Sequence, residues 1–458
     1  MKRWGGSFAA ALLASLATIF FHSRTSRIFE DTDTSVLFAR MAQRGNPWSW
    51  FTTDWPLQNH FYRPVSTLSL YADEHLFGTN ISAYAISASV YCALCVLAVF
   101  WLARELTNSP AASATAAVLF AVWQSPLDIA WDQIALVVAI LVLGIGFLRH
   151  RAKVRNYLPA AFALAFLATE FMGVHRKEAP GGLYGAMFVW LPSRTASVLT
   201  LFALCAIAAY VRYERLGAAR EPETTTPLDL PATRTSTSAF TNLSTSWIWI
   251  IIAAVFLGLA LCSYEQAVMI PIILLVIGIG LAATGQKVRW KSHVVFWLIL
   301  GLYVFARSRV LPQGPSDYQM QQSREGASAY LSIINYVFPG LGSARTWWST
   351  LALGSSILLT ATFYSLPIQA AGNLFTYWEA FKRNKIALSS WAASCLAFLP
   401  MAFLKPFAHY HYFPMSLRAI FVALLVGVVW KMIVSAVSPQ GLQAPERRSP
   451  APGSLHHR

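Results

Sequence analysis

The sequence predicts an all-α fold: a polytopic membrane bundle of about 12 transmembrane helices with a long first extracytoplasmic loop. The chain has 458 residues, of which 56% are hydrophobic and only 12% are charged. Soluble domains carry about 25% charged residues, roughly twice that share. Apolar runs near the length that crosses a bilayer, about 17–25 residues, recur from end to end. Short loops that carry Lys and Arg separate many of these runs, as is typical of cytoplasmic connections.

Hydropathy, together with residues that typically start or end helices, predicts the positions of the spans. The first apolar stretch follows "MKRW" and continues to Phe21 without a small-residue cleavage pattern, so it is predicted to be a permanent span rather than a signal peptide. The predicted spans are 5–21, 82–103, 111–126, 134–149, 157–173, 184–211, 247–263, 267–284, 294–311, 350–371, 387–404 and 416–436.

Alternation from a basic cytoplasmic start puts the basic loops inside, and both termini as well. The membrane-embedded domain then covers residues 1–437, with the first outer loop at 22–81. A Thr-, Ser- and Pro-rich stretch at 214–246 is predicted to be a disordered cytoplasmic linker, and 438–458 a disordered cytoplasmic tail.

The two outer segments contain helical patterns of their own. In the first loop, "SVLFARMAQRG" has helical apolar spacing, with a start near Asp33 or Thr34, a stop at Gly45 and Pro47 just beyond. We expect Asp33 to cap this helix. Aromatic residues crowd 46–64, which favours a position along the membrane interface. In the second segment, 312–349, "YLSIINYVF" predicts a surface or re-entrant helix.

The formal net charge of +15 does not indicate nucleic-acid binding. The basic residues lie in short loops between spans, and no basic helix alternates with stacking aromatics in a soluble segment. The predicted surroundings are therefore membrane lipids.

Ionisable residues within or beside spans are expensive in a bilayer and mark functional sites by default. On the predicted topology, charged and imidazole side chains from distant segments all fall at the outer ends of spans. They are Glu30, Asp31, Asp33, Arg63, Asp128, Asp132, Arg194, Glu265, His409 and His411. Their shared leaflet predicts a polar cavity that faces outward.

Transfer of a sugar from a lipid phosphate is a reaction that such a cavity suits. A carboxylate acts as general base on the acceptor hydroxyl. The phosphate leaving group needs Arg, His or a metal ion to receive its charge.

Several stretches in order carry a family resemblance. They are "FEDTDTSVL", "FYRPVSTLSLYADEHLFGTNISAYAIS", "LFAVWQSPLDIAW", "WLPSRTASVLTLFALCAIAAYVRY", "ALCSYEQAVMIPIILL" and "HYHYFPMSLRAIFVALLVG". Together they resemble the C-type (GT-C) superfamily of integral-membrane glycosyltransferases, most closely the transmembrane O-mannosyltransferases and their bacterial relatives. The chain departs from that pattern at Trp123 and Gln124, at Tyr264 in place of a lysine, and at His409 in place of an arginine.

The resemblance implies a polyprenyl-phosphate sugar donor, a glycan, lipid or protein acceptor, and a bacterial inner-membrane location. It assigns the acids of the first loop, Glu30, Asp31 and Asp33, to catalysis. Because Asp33 is expected to cap the helix, Asp31 is our first choice for the base. Arg63, Arg194 and His409 are expected to bind the donor phosphate, with Glu265, Asp128 and His411 in support. A divalent cation is an open candidate as cofactor.

Three other functions stay open. A transporter of a lipid-linked or anionic solute predicts inverted repeats and charges near mid-membrane. A polymerase or ligase of cell-surface glycans shares the lipid donor, and an inactive scaffold shares the fold alone.

Overall fold

The computed structural model describes most of the predicted bundle and its first outer loop. The described residues are 2–23, 31–125, 187–188, 190–218, 237–324, 326–337, 385–405 and 407–437. Within these ranges the regular structure is helical, apart from one isolated antiparallel bridge between Ser323 and Leu404. The prediction of an all-α fold is confirmed.

The α-helices are numbered here in chain order. They are α1 (Lys2–His22), α2 (Thr32–Arg44), α3 (Pro64–Phe77), α4 (Ile81–Thr107), α5 (Pro110–Trp123), α6 (Arg194–Ala218), α7 (Thr237–Leu261), α8 (Ile270–Ala283), α9 (His293–Val310), α10 (Asp317–Gln322), α11 (Ala327–Val337), α12 (Lys385–Phe398) and α13 (Tyr412–Val437). Short 3₁₀ turns precede several of them, at Pro47–Thr52, Leu191–Ser193, Glu265–Met269, Trp290–Ser292, Leu399–Phe403 and Ala408–His411.

Seven stretches of the described chain are long and apolar enough to cross a membrane. They are Trp4–His22, Ile81–Thr107, Leu191–Gly217, Glu265–Ala283, Trp290–Val310, Lys385–Phe403 and Ala408–Gly427. Two shorter apolar helices, Pro110–Trp123 and Ser246–Leu261, coincide with further predicted spans. The predicted spans at 134–149, 157–173 and 350–371 lie outside the described residues, so the count of about 12 stays a prediction.

Helix α6 forms the centre of the bundle. It packs against α4, α7 and α13, and 83% of the residues in its most apolar stretch are buried. Small side chains such as Ala203, Ala206 and Ala209 are fully enclosed there. Small residues let helix backbones approach closely, which is the usual basis of helix packing in membranes. By contrast, only 17% of the residues in the most apolar stretch of α1, and likewise of α9, are buried, so these two helices present apolar surface outward.

The first outer loop folds onto a small apolar core of its own. Helix α2 contributes Leu37 and Met41, which pack with Trp50, Trp55 and Leu70. Gly45 ends α2 in the left-handed region, with φ of +62°. The predicted stop at Gly45 is confirmed, because glycine adopts this conformation at low cost.

The start of α2 corrects one expectation. Asp31, not Asp33, is the N-cap residue: its Oδ1 accepts a hydrogen bond from the Thr34 backbone N–H at 2.7 Å. Its Oδ2 accepts a second bond from the Thr34 hydroxyl at 2.6 Å. The helix therefore begins at Thr32, two residues before the predicted Thr34, and Asp33 lies in its first turn.

Two further boundaries differ from the sequence prediction. The sixth predicted span, 184–211, is resolved into a 3₁₀ turn at Leu191–Ser193 and α6, which continues to Ala218. Helix α7 already begins at Thr237. Both ends of the predicted 214–246 linker are therefore helical, and 219–236 lies outside the described residues, as does the tail 438–458. Helix α11 confirms the helix expected within 312–349.

Candidate functional site

A cavity of about 490 Å³ lies where the first outer loop meets the ends of the bundle helices. We call it the Asp33 cavity. Its walls come from α2, the loop before α3, the segment before α6, the turn before α8, the start of α10 and the turn before α13. The lining residues are Asp33, Val36, Trp55, Leu57, Gln58, Asn59, His60, Phe61, Arg63, Trp190, Pro192, Tyr264, Pro315, Ser316, Asp317, Tyr318, His409 and Tyr410.

Of the described first-loop acids to which the resemblance assigned catalysis, Asp33 reaches this cavity. Partial burial raises the pKa of Asp33 above its ordinary value, and the neighbouring Asp31 charge raises the pKa further. A hydrogen bond from the Trp190 side chain acts in the opposite direction. The carboxylate is thus a better proton acceptor than an ordinary aspartate.

Asp31, the other described acid of this part of the first loop, does not line the cavity. Both carboxylate oxygens of Asp31 are engaged by Thr34 at the helix start. Its predicted role as the base thus competes with a capping duty, and the choice of Asp31 as the base stays a prediction. Glu30 lies outside the described residues.

Arg63 is the fixed positive charge in the wall of the cavity. Its Nε and Nη2 donate to Oε2 of Glu265 at 2.9 and 2.7 Å, and Glu265 Oε1 accepts from the Tyr62 backbone N–H. The guanidinium carbon lies 4.0 Å from the Phe61 ring centroid and 4.4 Å from that of Tyr264. Among the described residues Nη1 makes no hydrogen bond, so this nitrogen remains available to an anion.

The predicted supporting role of Glu265 acquires a definite geometry from this pairing. Glu265 begins the 3₁₀ turn between α7 and α8, and it ties that turn to Arg63 at the start of α3. Tyr264 places its ring over Arg63. The aromatic ring thus contributes a cation–π contact to the same guanidinium.

His409 joins the same wall and His411 does not. His409 is only 5% exposed, lines the cavity and lies with its ring centroid 4.9 Å from that of Trp190. The ring of His411 stacks on Phe398 at 4.7 Å and on Tyr336 at 5.8 Å, and His411 does not line the cavity.

Arg194 is held away from the cavity by a buried acid. Its guanidinium pairs with Asp73 of α3, and the side chains are 1% and 8% exposed. Ser87 donates to the other Asp73 oxygen at 2.9 Å. Arg194 does not line the cavity, so the structure does not bring it to a donor phosphate there. The pair joins α3 to α6, a structural duty that the sequence did not reveal.

The loop before α3 is shaped by one acid. Asp54 accepts hydrogen bonds from the backbone N–H groups of His60, at 3.0 Å, and Phe61, at 2.9 Å. Gln58 and His60 both have positive φ, 54° and 60°. Such conformations cost about 1 kcal/mol or more in residues other than glycine, and they persist where surrounding contacts impose them.

Sequence reasoning missed several aromatic residues of the wall. Tyr318, in the first turn of α10, lies within electrostatic reach of both functional charges. Burial raises its pKa, the Arg63 charge opposes this effect and the Asp33 charge adds to it. The aromatic crowding of 46–64 was the available signal for Trp55 and Phe61, whereas Tyr318 is an isolated tyrosine in a polar stretch.

Two predictions are without a described counterpart. Asp128 lies outside the described residues. In the part of the chain that the structure describes, no three His, Cys, Asp or Glu side chains are placed to hold a metal ion together. The divalent cation therefore stays a prediction.

Comparison with known proteins gives one structural likeness. No protein-family description matches the chain, and no curated protein does. The crystal structure of ArnT from Cupriavidus metallidurans in the apo state is similar over 92% of this chain, with 13% sequence identity and a TM-score of 0.45. This chain spans 59% of that chain's length.

Proposed function

We propose that the protein is a membrane glycosyltransferase that moves a sugar from a polyprenyl-phosphate-linked donor to an acceptor at the extracytoplasmic face. One observation carries the proposal: a single cavity brings the Asp33 carboxylate and the Arg63 guanidinium together at the ends of membrane helices. Such a reaction needs one group that takes a proton and another that receives an anionic leaving group.

The two charges fit complementary roles. Asp33 accepts the proton of the acceptor hydroxyl as its oxygen bonds to the anomeric carbon. The bond from that carbon to the phosphate oxygen breaks, and its electrons leave with the polyprenyl phosphate. Arg63 offers Nη1 to that phosphate, while Glu265 holds Nε and Nη2 in place. A guanidinium held in position stabilises developing charge without reorganisation during the reaction.

The remaining walls suit a sugar. Trp55, Phe61, Trp190 and Tyr318 supply flat aromatic surface, and such surface with a few placed polar groups is typical of small-molecule sites. Asn59 is 8% exposed, and among the described residues its side-chain Oδ1 has no hydrogen-bond partner. His409, which lines the same cavity, is the candidate partner for a hydrogen bond to the phosphate.

The proposal includes a hexose or pentose as the sugar, membrane lipids as surroundings, and a glycan, lipid or protein as acceptor. The bacterial inner membrane is the proposed location, with the Asp33 cavity facing outward. The resemblance of the ordered sequence stretches to the C-type glycosyltransferases supports these details.

The test is donor cleavage by the purified full-length protein. A panel of polyprenyl-phosphate sugars is incubated with the protein, and free polyprenyl phosphate is measured. Release that is catalytic in protein supports the proposal. In reconstituted vesicles, movement of an intact donor across the membrane with no cleavage would instead support the transporter.

A further inference from the structure

A second cavity, of about 510 Å³, adjoins the Asp33 cavity and shares His60 and Pro315 with it. We call it the Arg307 cavity. Arg307 and Ser308 line it from the last turn of α9, and Gln319 lines it from α10. The connecting segment 311–315 completes the wall, with prolines at 312 and 315 and a glycine at 314 in the left-handed region. Of these residues, only His60 and Pro315, which line both cavities, belong to the site of the proposed reaction.

The charge of the Arg307 cavity favours an anion. Arg307 donates from Nη2 to the His60 carbonyl oxygen at 3.4 Å, and its Nε is enclosed without a hydrogen-bond partner among the described residues. Among the described residues that line this cavity, none is acidic. Asp317, the acid next along the chain, lines the Asp33 cavity instead. The Ser308 hydroxyl already donates to the Phe305 carbonyl oxygen at 2.8 Å, so Arg307 and Gln319 are the side chains that offer donors to an oxyanion, with no carboxylate among the described residues of the wall to compete.

The approach to the cavity along α9 is apolar and open. Trp297 and Val304 are 43% and 52% exposed, and they share a helix face with Ser308 by three- and four-residue spacing. Gly301 lies between them on that face, and a side chain added there would meet nothing within 4 Å. The face therefore has a shallow recess that leads to the cavity mouth.

We propose that the Arg307 cavity holds the phosphate of a membrane lipid whose chains lie along the recess at Gly301. Charge complementarity selects the phosphate, and the continuous apolar face of a span selects a lipid over a free ion. This site is separate from glycosyl transfer, and it is present whether or not the protein transfers a sugar.

The test is direct binding to the detergent-solubilised full chain in the absence of any sugar donor. Dioctanoyl phosphatidate is titrated by microscale thermophoresis, beside dioctanoylglycerol and inorganic phosphate. We expect phosphatidate to bind at least about tenfold more tightly than either, because dioctanoylglycerol lacks the phosphate and inorganic phosphate lacks the acyl chains.

Matched variants locate the site. Arg307→Gln is expected to weaken phosphatidate binding by about tenfold or more. Arg309→Gln makes the same charge change two residues along, at a residue that lines neither cavity and lies over Phe305, and is expected to leave binding within about twofold. Gly301→Leu fills the recess and is expected to weaken phosphatidate binding without disturbing the Arg307 contacts.

Three results would overturn the proposal. Equal phosphatidate affinity in the wild type and in both Arg307→Gln and Gly301→Leu would show that the lipid binds elsewhere. Equal affinity for inorganic phosphate and phosphatidate would make the ligand a free ion. Equal losses in the Arg307 and Arg309 variants would reduce the effect to general surface charge. Since no sugar is present, none of these results depends on the proposed transferase activity.

Discussion

Asp33 has neighbours that shift its pKa in opposite directions. Asp31 raises it and the Trp190 hydrogen bond lowers it. A general base works only when ionised, so transfer should fall as the pH drops through a pKa above the ordinary value of about 3.9. Asp31→Asn removes a negative neighbour and should lower the pKa of Asp33, so this loss of transfer (the acid limb of the pH profile) should occur at lower pH. Trp190→Phe removes a donor and should raise the pKa of Asp33, so the acid limb should move to higher pH.

The measurement is the pH profile of kcat/KM for wild type and both variants. Shifts in opposite directions are expected. Profiles that move together, or that do not move, would contradict the assignment of the limb to Asp33.

Arg63 and Arg194 were expected to share one role, and the structure separates them. Changing Arg63 and Glu265 together to Gln removes the cation without leaving a lone buried carboxylate. We expect donor KM to rise by about ten- to a hundred-fold, the effect of one lost charge-assisted hydrogen bond of about 1.5–3 kcal/mol. Arg194→Gln leaves Asp73 buried without its cation, which should cost about 3–5 kcal/mol of stability.

Steady-state kinetics and thermal melting separate these outcomes. The Arg63 and Glu265 double variant should change KM more than Tm, and Arg194→Gln should change Tm with donor KM close to wild type. The reverse pattern would restore Arg194 as the phosphate ligand.

Single residues were predictable from sequence to the extent that their roles are local. Arg63, Glu265 and His409 were identified because charged or imidazole groups beside spans are costly, and all three lie in or beside the cavity wall. Their pairing was not predictable, because Arg63 and Glu265 are 202 positions apart. Asp31 rather than Asp33 caps α2 because the helix starts two residues earlier than expected, a shift within the normal uncertainty of helix boundaries.

The loop before α3 depends on Asp54. Asp54→Ala removes the acceptor of two backbone N–H groups, which should cost about 1–3 kcal/mol of stability and loosen the wall that carries Gln58, His60 and Phe61. We expect a lower Tm together with a higher donor KM. Asp54→Asn is the control, since it keeps one acceptor oxygen and should show about half the effect or less. A lower Tm with unchanged KM would mean that the loop does not shape the site.

Helix α2 was predicted well at its end, because Gly45 is a local stop signal. Helix α5 begins at Pro110, one residue before the predicted start of its span at 111. Composition misjudged the start of α7, because the Ser- and Thr-rich residues from Thr237 have modest helix propensity and are helical as the continuation of an apolar span. The Arg194–Asp73 pair, 121 positions apart, could not be read from any local pattern.

The orientation of the protein in the membrane determines the side to which the Asp33 cavity opens. Helix ends that meet around the Asp33 cavity are those that the charge rule places outside, with both termini and 219–236 in the cytoplasm. Reporter fusions at both termini and within 219–236 should give cytoplasmic signals. A 219–236 segment that protease reaches from outside intact cells would put the cavity on the cytoplasmic face.

The central claim is that Asp33 is the base in a cavity that cleaves a polyprenyl-phosphate sugar. The most direct measurement is release of polyprenyl phosphate by wild type, Asp33→Asn, Asp31→Asn and Asp317→Asn, the last being an exposed acid in the same wall. Asp33→Asn should lower turnover by about 10²–10⁴, the usual value of a general base. Asp31→Asn should lower it by less than about tenfold, because Asn caps a helix about as well as Asp, and Asp317→Asn should have little effect. A larger loss in Asp31→Asn than in Asp33→Asn, or equal small losses in all three, would contradict the account.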